Sequence, residues 1–180
     1  TYMNQTFDQH TYYETEDYIL FELGFVGGQS MRLVLPKEGK QLNDLLTEPA
    51  LKAILSSPEE STQKSAKVNL KLPKFSFDSN FNLNKLCQSL GLEELFSESS
   101  DLSGISKENI AVSNVQQESH VEIDENGCKA AAYTKIDIRE MSLLLDETEE
   151  INLSFERPFL FSIQSGDNAP LFVGTVYQPK

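Results

Sequence analysis

Few side chains in this 180-residue sequence could carry out acid–base, nucleophilic or metal chemistry. His10 and His120 are the only imidazole groups, and no Gly-x-Ser-x-Gly motif or metal-ligand cluster accompanies them. The two cysteines, Cys87 and Cys128, lack the paired spacing of a zinc site or a disulfide framework. We therefore predict a protein that is not an enzyme and that has no catalytic residue, no metal and no cofactor.

The segment that follows Glu125 has the composition of a strand that could enter the interior of a sheet. With the strand period of two, one face would hold small, uncharged residues, namely Cys128, Ala130, Ala132 and Thr134. The other face would hold two lysines and could stay in solvent, namely Lys129, Ala131, Tyr133 and Lys135. The competing prediction is an exposed helix over residues 129–145, but the apolar residues there form no single helical face.

The composition limits the class of protein. With 39% hydrophobic residues, the chain is long enough for one ordinary core, so we expect one domain or part of one. The net charge of -13 repels phosphate, which argues against a nucleic-acid partner. No stretch approaches the roughly 20 apolar residues of a membrane-spanning helix, so we expect no membrane partner.

Strands dominate the elements that would position the segment after Glu125. Two apolar runs within Tyr18–Leu35 flank a glycine-rich turn and predict a hairpin. Alternating apolar residues predict a strand over 68–72, with a bend at Pro73-Lys74 where the alternation changes face. A long strand is predicted from Ile110 to Ile123. The last hairpin, within Phe159–Val176, is apolar on both faces, which is typical of buried central strands.

Helices are predicted to be few and short. Leucine and isoleucine residues at helical spacing between Leu42 and Leu55 predict two short helices that are broken at Pro49. A third helix is predicted over Leu83–Leu90, with Gly91 placed to end it in a left-handed conformation. The mixture of many strands and three or four short helices indicates an α+β fold.

The connection between the long strand and the last hairpin fits no packed element. It covers residues 126–154 and includes the acidic run Asp146–Glu150. A connection of this length is uncommon inside a compact domain and is usually functional or disordered. For the acidic run itself, a solvated loop is favoured over a contact surface for a basic protease.

Five motifs across the chain resemble the serpin family in order and approximate spacing. They are Val68-Asn-Leu-Lys-Leu-Pro-Lys-Phe75, Asp101-Leu-Ser-Gly-Ile-Ser106, Val121-Glu-Ile-Asp-Glu-Asn-Gly-Cys-Lys-Ala-Ala-Ala132, Arg157-Pro-Phe-Leu-Phe161 and Pro170-Leu-Phe-Val-Gly-Thr-Val176. The resemblance implies that residues 1–180 are the carboxy-terminal half of a single serpin domain, with antiparallel and mixed sheets, a few short helices and a long reactive-centre loop. The amino-terminal half of the same serpin would then be a partner absent from this chain, and the complete protein would be a monomer.

The resemblance also implies a mechanism. Serpins present a loop, here about residues 126–150, that a serine protease cuts, and the protease stays attached as an acyl-enzyme while the loop inserts into the central sheet. The hinge would comprise Glu125 and small residues that tolerate burial, namely Gly127, Cys128, Ala130, Ala131, Ala132 and Thr134. Lys74 is expected to form an ion pair with Glu125 at the top of the sheet.

The resemblance further implies that the reactive bond lies at a characteristic distance along the loop from Glu125, which here falls at Met141-Ser142. A methionine before the cut suits an apolar specificity pocket, as in elastase-, chymotrypsin- or subtilisin-like enzymes. Leu143 and Leu144 remain alternatives because the segment after Met141 is long. Arg139, a trypsin-type residue, is a further alternative, but a cut there would shorten the inserted strand.

Two further properties remain open at the level of sequence. A non-inhibitory serpin that acts as a binding or chaperone protein is the alternative function, and the charged hinge residue Lys129 is the feature that hints at it. Two sequons begin at Asn4 and Asn152, and they favour a secreted, extracellular glycoprotein.

Overall fold

The computed structural model describes residues 1–25, 27–125 and 149–179, and the backbone alone of residues 127–128 and 131–132. The chain divides into two units. Unit 1 comprises Thr1–Phe75 together with Glu122–Lys180, and unit 2 comprises Ser76–Val121. Within the described residues, no helix is long and apolar enough to cross a membrane.

Two sheets contain the strands of the described residues. The strands are β1 (Tyr2–Glu14), β2 (Tyr18–Gly24), β3 (Ser30–Pro36), β4 (Gln63–Pro73), β5 (Phe75–Asn82), β6 (Gln116–Asp124), β7 (Gly127–Cys128), β8 (Ala131–Ala132), β9 (Glu150–Ser154), β10 (Phe159–Gln164) and β11 (Pro170–Val176). The larger sheet has the order β11-β10-β3-β2-β1-β4-β9 and the smaller one β5-β6-β7-β8. In the larger sheet β4 and β9 are parallel, whereas its other neighbours are antiparallel.

The predicted hairpin forms the centre of the larger sheet. β2 and β3 pair from Tyr18 and Pro36 to Gly24 and Ser30. Gly27 and Gly28 in the turn have φ values of 97° and 85°, which residues with a Cβ rarely adopt. Every residue of β3 is buried, as is every residue of β10 beside it, so this part of the sheet is covered on both faces.

One face of the larger sheet is covered by short helical segments. A 3₁₀ turn over Leu42–Leu45 precedes helix α1 (Glu48–Leu55), and Pro49 lies in the first turn of α1, where no backbone N–H is needed. The two segments bury their apolar side chains against the sheet. The resulting cluster contains Leu42, Leu45 and Ile54 from the helical segments and Leu20, Val34 and Leu160 from the strands.

Arg32 on β3 ties helix α1 to the sheet. Its side chain is 2% exposed and its Nε lies 3.2 Å from the Glu22 carboxylate. Nη1 donates to the carbonyls of Ile54, Leu55 and Ser56 at 3.2, 3.2 and 2.7 Å. These carbonyls belong to the end of α1, where no further turn supplies donors, so one buried guanidinium caps the helix.

Unit 2 has a different character. After β5, helix α2 (Asn84–Cys87) continues into a wider turn over Gln88–Leu92, and Gly91 within it has a φ of 87°. The left-handed glycine is the one that the sequence predicted. The predicted apolar face of this helix is not buried within the described residues, however, because Leu90 is 71% exposed and Leu86 is also exposed.

The strand predicted from Ile110 begins only at Gln116. Ahead of it, backbone groups bond to residues outside any strand. The Val112 N–H donates to the Leu95 carbonyl at 2.9 Å, and the Val115 N–H donates to the Asn84 side chain at 2.7 Å. The Ile110 carbonyl accepts from Ser100 at 2.7 Å. The prediction was therefore wrong for residues 110–115 and correct for the remainder.

Three further differences concern unit 1. The sequence predicted no element before Tyr18, yet β1 pairs with both β2 and β4. Only the first strand of the last hairpin is buried along its whole length, because β11 is an edge strand with Leu171 and Val173 exposed. The connection after β6 was predicted to extend to residue 154. This was wrong for residues 150–154, because they form β9.

Candidate functional site

The start of the predicted loop lies where β6 ends, beside the end of β4. Glu125 follows β6 directly, and Lys74 occupies the single position between β4 and β5. Lys74 Nζ lies 2.5 Å from Glu125 Oε1, and the Lys74 N–H donates to the Thr1 carbonyl at 3.0 Å. The hydrogen bond from Lys74 holds the pKa of the Glu125 carboxyl below its usual range. Both side chains are partly exposed, so this pair positions the turn and adds little stability.

The first hinge residues pair with the strand that precedes them. After Glu125 the backbone reverses, and β7 runs antiparallel to β6 with Cys128 opposite Ile123 and Gly127 opposite Asp124. β8 then pairs antiparallel with β7, with Ala131 opposite Cys128 and Ala132 opposite Gly127. The backbone of the first hinge residues therefore forms part of the smaller sheet.

The remaining hinge and loop predictions fall outside the described residues. They concern Ala130 and Thr134 in the hinge, the bond Met141-Ser142, and the alternatives Arg139, Leu143 and Leu144. The structure therefore brings together Lys74, Glu125 and the backbone of the first hinge residues.

The far end of the loop is held by β4. The Lys67 N–H donates to the Glu149 carbonyl at 2.8 Å, and Lys67 Nζ lies 3.1 Å from Glu150 Oε2. Asn69 Nδ2 donates to Glu150 Oε1 at 2.8 Å and to Asn152 Oδ1 at 3.0 Å. Hydrogen bonds from Asn69 and then Lys67 lower the pKa of Glu150. Two residues of the acidic run are thus engaged with β4 through backbone or side-chain groups.

Sequence reasoning missed Lys67 and Asn69 as anchors of the loop. Their alternation with Val68 and Leu70 indicates that they face away from the core, and the structure places Val68 and Leu70 in it. The partners of Lys67 and Asn69 could not be read in the same way, because the parallel contact between β4 and β9 joins segments far apart in sequence.

Both sequon asparagines lie on strands of the larger sheet. Asn4 is on β1 opposite Lys71, and Asn152 is on β9 opposite Asn69; both are exposed. Thr6, which completes the first sequon, donates to Asn69 Oδ1 at 2.9 Å. The two sequon asparagines therefore lie on the strands that flank β4.

The two histidines have structural partners. His10 Nε2 lies 2.9 Å from the Glu22 carbonyl, and its ring stacks at a tilt against Phe7 and Phe21. In unit 2, His120 Nδ1 lies 2.7 Å from Asp78 Oδ1. In the described part of the chain, no three His, Cys, Asp or Glu side chains are grouped so that they could hold a metal ion.

Comparison with known proteins identifies the fold. The family model for "Serpin (serine protease inhibitor)" matches residues 1–179. The chain is 37% identical to the plasma serine protease inhibitor of Homo sapiens, over 86% of this chain and 36% of that protein. It is 32% identical to an uncharacterised serpin-like protein of Thermococcus kodakarensis, over 99% of this chain and 41% of that protein.

A solved structure gives the same result. The crystal structure of a highly specific serpin from the insect Tenebrio molitor matches with a TM-score of 0.70 at 28% identity, covering 96% of this chain and 45% of that one. The chain thus spans less than half the length of these relatives. Serpins are mostly protease inhibitors and not enzymes, although some members, such as ovalbumin and thyroxine-binding globulin, are non-inhibitory. The chain belongs to the serpin family and has the α+β architecture of part of a serpin fold.

Proposed function

We propose that the protein is a suicide-substrate inhibitor of a serine protease. The protease would cut the loop after the hinge, remain attached as an acyl-enzyme, and be carried away as the hinge becomes a strand of the sheet that contains β6. Serpin relatives described as protease inhibitors support this function. The observation that carries it is the antiparallel pairing of Gly127 and Cys128 with β6.

The physical requirements of insertion agree with this proposal. A strand that enters a sheet must present small or β-compatible uncharged side chains to the buried face, because an unpaired buried charge is costly. Cys128, Ala130, Ala132 and Thr134 meet that condition. The loop is also held at both ends, by β6 before it and by the β4–β9 contact after it.

The finer features of the proposal follow from the sequence. Met141-Ser142 is the proposed reactive bond, with Leu143, Leu144 and Arg139 as alternatives, and the target is a serine protease with an apolar specificity pocket. The amino-terminal half of the serpin is the structural partner, and the complete protein acts as a monomer. Asn4 and Asn152 are proposed glycan acceptors of a secreted protein.

The test is to mix the full-length protein with elastase, chymotrypsin, subtilisin and trypsin and to look for a complex that resists denaturing electrophoresis. We expect such a complex with at least one of the first three enzymes. Mass spectrometry of the carboxy-terminal fragment, separated under denaturing conditions, should then give Ser142 as the new amino terminus. If the loop is cleaved but none of the enzymes forms such a complex, the non-inhibitory alternative is favoured instead.

A matched pair of hinge variants separates insertion from cleavage. Ala132→Glu places a charge on the face that should be buried, and Ala131→Glu places the same charge on the opposite face. The first variant should be cut as an ordinary substrate with little complex, whereas the second should keep most of its inhibition. Equal behaviour of the two variants would contradict the alternation on which the proposal depends.

A further inference from the structure

A row of buried polar side chains lies on the face of β3 and β10 that helix α1 covers. Leu160 on β10 packs in the apolar cluster with α1, and the strand period of two places Ser162 and Gln164 on the same face. On β3, Arg32 lies opposite Ser162 and Ser30 lies opposite Gln164. All four polar residues are buried, and Ser162 and Gln164 have no exposed surface. The sheet is therefore apolar beneath α1 and polar immediately beyond it.

The side-chain amide of Gln164 is only half paired. Its Nε2 donates to Ser162 Oγ at 2.7 Å. Its Oε1 is the one buried side-chain oxygen or nitrogen without a hydrogen-bond partner among the described residues. Rotating the amide by half a turn does not remove the deficit, because Ser162 would then serve Oε1 and leave Nε2 unpaired. Buried polar atoms of folded proteins nearly always bind a protein group or an ordered water, so Gln164 Oε1 calls for a donor.

The surroundings of Gln164 determine which donor can reach it. Because the side chain has no exposed surface, a group from outside the core cannot approach it, and the donor must be small enough to be enclosed. Short residues surround the amide: Ser162 precedes it on the same face, and Ser30 and Pro170 are its partners on β3 and β11. An internal water typically bonds to about three buried polar groups that otherwise lack partners. Gln164 Oε1 and the hydroxyl groups of Ser30 and Ser162 supply such a set.

We propose that Gln164 binds a single internal water molecule, which donates one hydrogen to Oε1 and bonds to the hydroxyl group of Ser30 or Ser162. Arg32 supports the site from the side of α1. Its Nη1 donates to carbonyls at the end of α1, and its Nη2 donates to Asn168 Oδ1 at 3.4 Å in the turn between β10 and β11. The water would thus complete a polar layer that joins β3, β10 and this turn. The proposal is independent of protease inhibition.

The water can be counted in solution by ¹⁷O magnetic relaxation dispersion, which detects water molecules held inside a protein. The experiment uses the full-length protein. Gln164→Met removes the amide and keeps an unbranched side chain of similar length. Gln63→Met makes the same exchange at an exposed position at the start of β4 and is the matched control. We expect the number of internal waters to fall by about one in Gln164→Met and to stay unchanged in Gln63→Met.

A crystal structure of the unmodified full-length protein locates the water independently of any variant. We expect an ordered water whose oxygen lies about 2.5 to 3.0 Å from Gln164 Oε1, and within the same range of the hydroxyl oxygen of Ser30 or Ser162. The same water should be missing from the structure of Gln164→Met and present in that of Gln63→Met.

Two kinds of result would overturn the assignment. One is a crystal structure in which a protein group donates to Gln164 Oε1, or in which no ordered water lies beside the amide. The other is an unchanged number of internal waters in folded Gln164→Met, or an equal fall in Gln63→Met. If Gln164→Met does not fold, the crystal structure of the unmodified protein decides the question alone.

Discussion

Unit 1 and unit 2 contain similar sequence patterns, but they bury very different amounts of apolar surface. Unit 1 has a dense core in which strands such as β3 and β10 have no exposed residue. In unit 2, Val121 is the only buried hydrophobic side chain among the described residues, and Leu86, Leu90 and Leu92 are exposed.

The difference shows what apolar spacing can and cannot determine. Spacing fixes which side of an element is apolar, and it did so correctly for β4, where Val68, Leu70 and Leu72 are buried. Burial also needs a partner surface, which the larger sheet supplies to helix α1 in unit 1. The described residues supply no comparable surface to Leu90. The following predictions test this contrast in the full-length protein, from the largest expected effect to the smallest.

Replacing Arg32 should cause the largest loss of stability. Arg32→Leu removes the partner of Glu22 and leaves three carbonyls at the end of α1 without their donor, and we expect a loss of about 4 kcal/mol in the free energy of unfolding. Arg157→Leu is the matched control, because Arg157 makes one long hydrogen bond of 3.4 Å to the Lys37 carbonyl. Its cost should be below about 1 kcal/mol. Equal losses in denaturant unfolding would refute the capping role of Arg32.

Leu90 tests whether unit 2 is completed by the rest of the protein. Because this chain spans less than half the length of its relatives, we expect the remainder to cover Leu90. Leu90→Ala should then cost about 2 to 3 kcal/mol, the range of a buried leucine. Lys85→Ala in helix α2, just before this segment, is the control and should change stability by less than about 0.5 kcal/mol. If the two variants unfold alike, Leu90 is solvent-exposed in the complete protein as well.

Gly174 tests the tightness of the unit 1 core. A Cβ at this position would lie 2.5 Å from Cε1 and 2.6 Å from Cζ of Phe161, whose ring is buried. Gly174→Ala should therefore cost about 2 kcal/mol through overpacking. Gly104→Ala in unit 2 meets no atom within 4 Å and should be nearly neutral. A stable Gly174→Ala variant would mean that this part of the core can relax.

The smallest effect concerns a surface carboxylate of unit 1. Hydrogen bonds from Lys37 and then Lys64 lower the pKa of Glu14 from its ordinary value of 4.5. The stabilisation is thus present above about pH 4.5 and is lost as the pH falls through the lowered folded-state pKa. Glu14→Gln should cost less than about 1 kcal/mol near pH 7, and the difference should vanish in acid. Glu60→Gln, which removes no ion pair found among the described residues, is the control and should change stability by less than about 0.5 kcal/mol near pH 7.

Local signals in the sequence predicted the β2–β3 hairpin, the interruption at Lys74 and the left-handed Gly91, because each depends on a few adjacent residues. β1 was missed because its residues are mostly polar and it is a strand by virtue of its pairing with β2 and β4. The contacts of Asn69 at the far end of the loop were missed for the same reason, because they depend on pairing between segments that are far apart in sequence. The alternation of small and charged residues in the hinge stays a prediction, whereas the register of Gly127 and Cys128 against β6 required the structure.

The placement of β9, β10 and β11 determines what a cut in the loop would do to the folded protein. These three strands follow the loop in sequence, yet they belong to the same sheet as β1 to β4, and β10 lies between β3 and β11. Any break between residues 129 and 148 would therefore yield two polypeptides that share one hydrogen-bonded layer. The shorter fragment would remain bound in the nicked protein, because its loss would break the pairing between β10 and β3. It would separate only on denaturation.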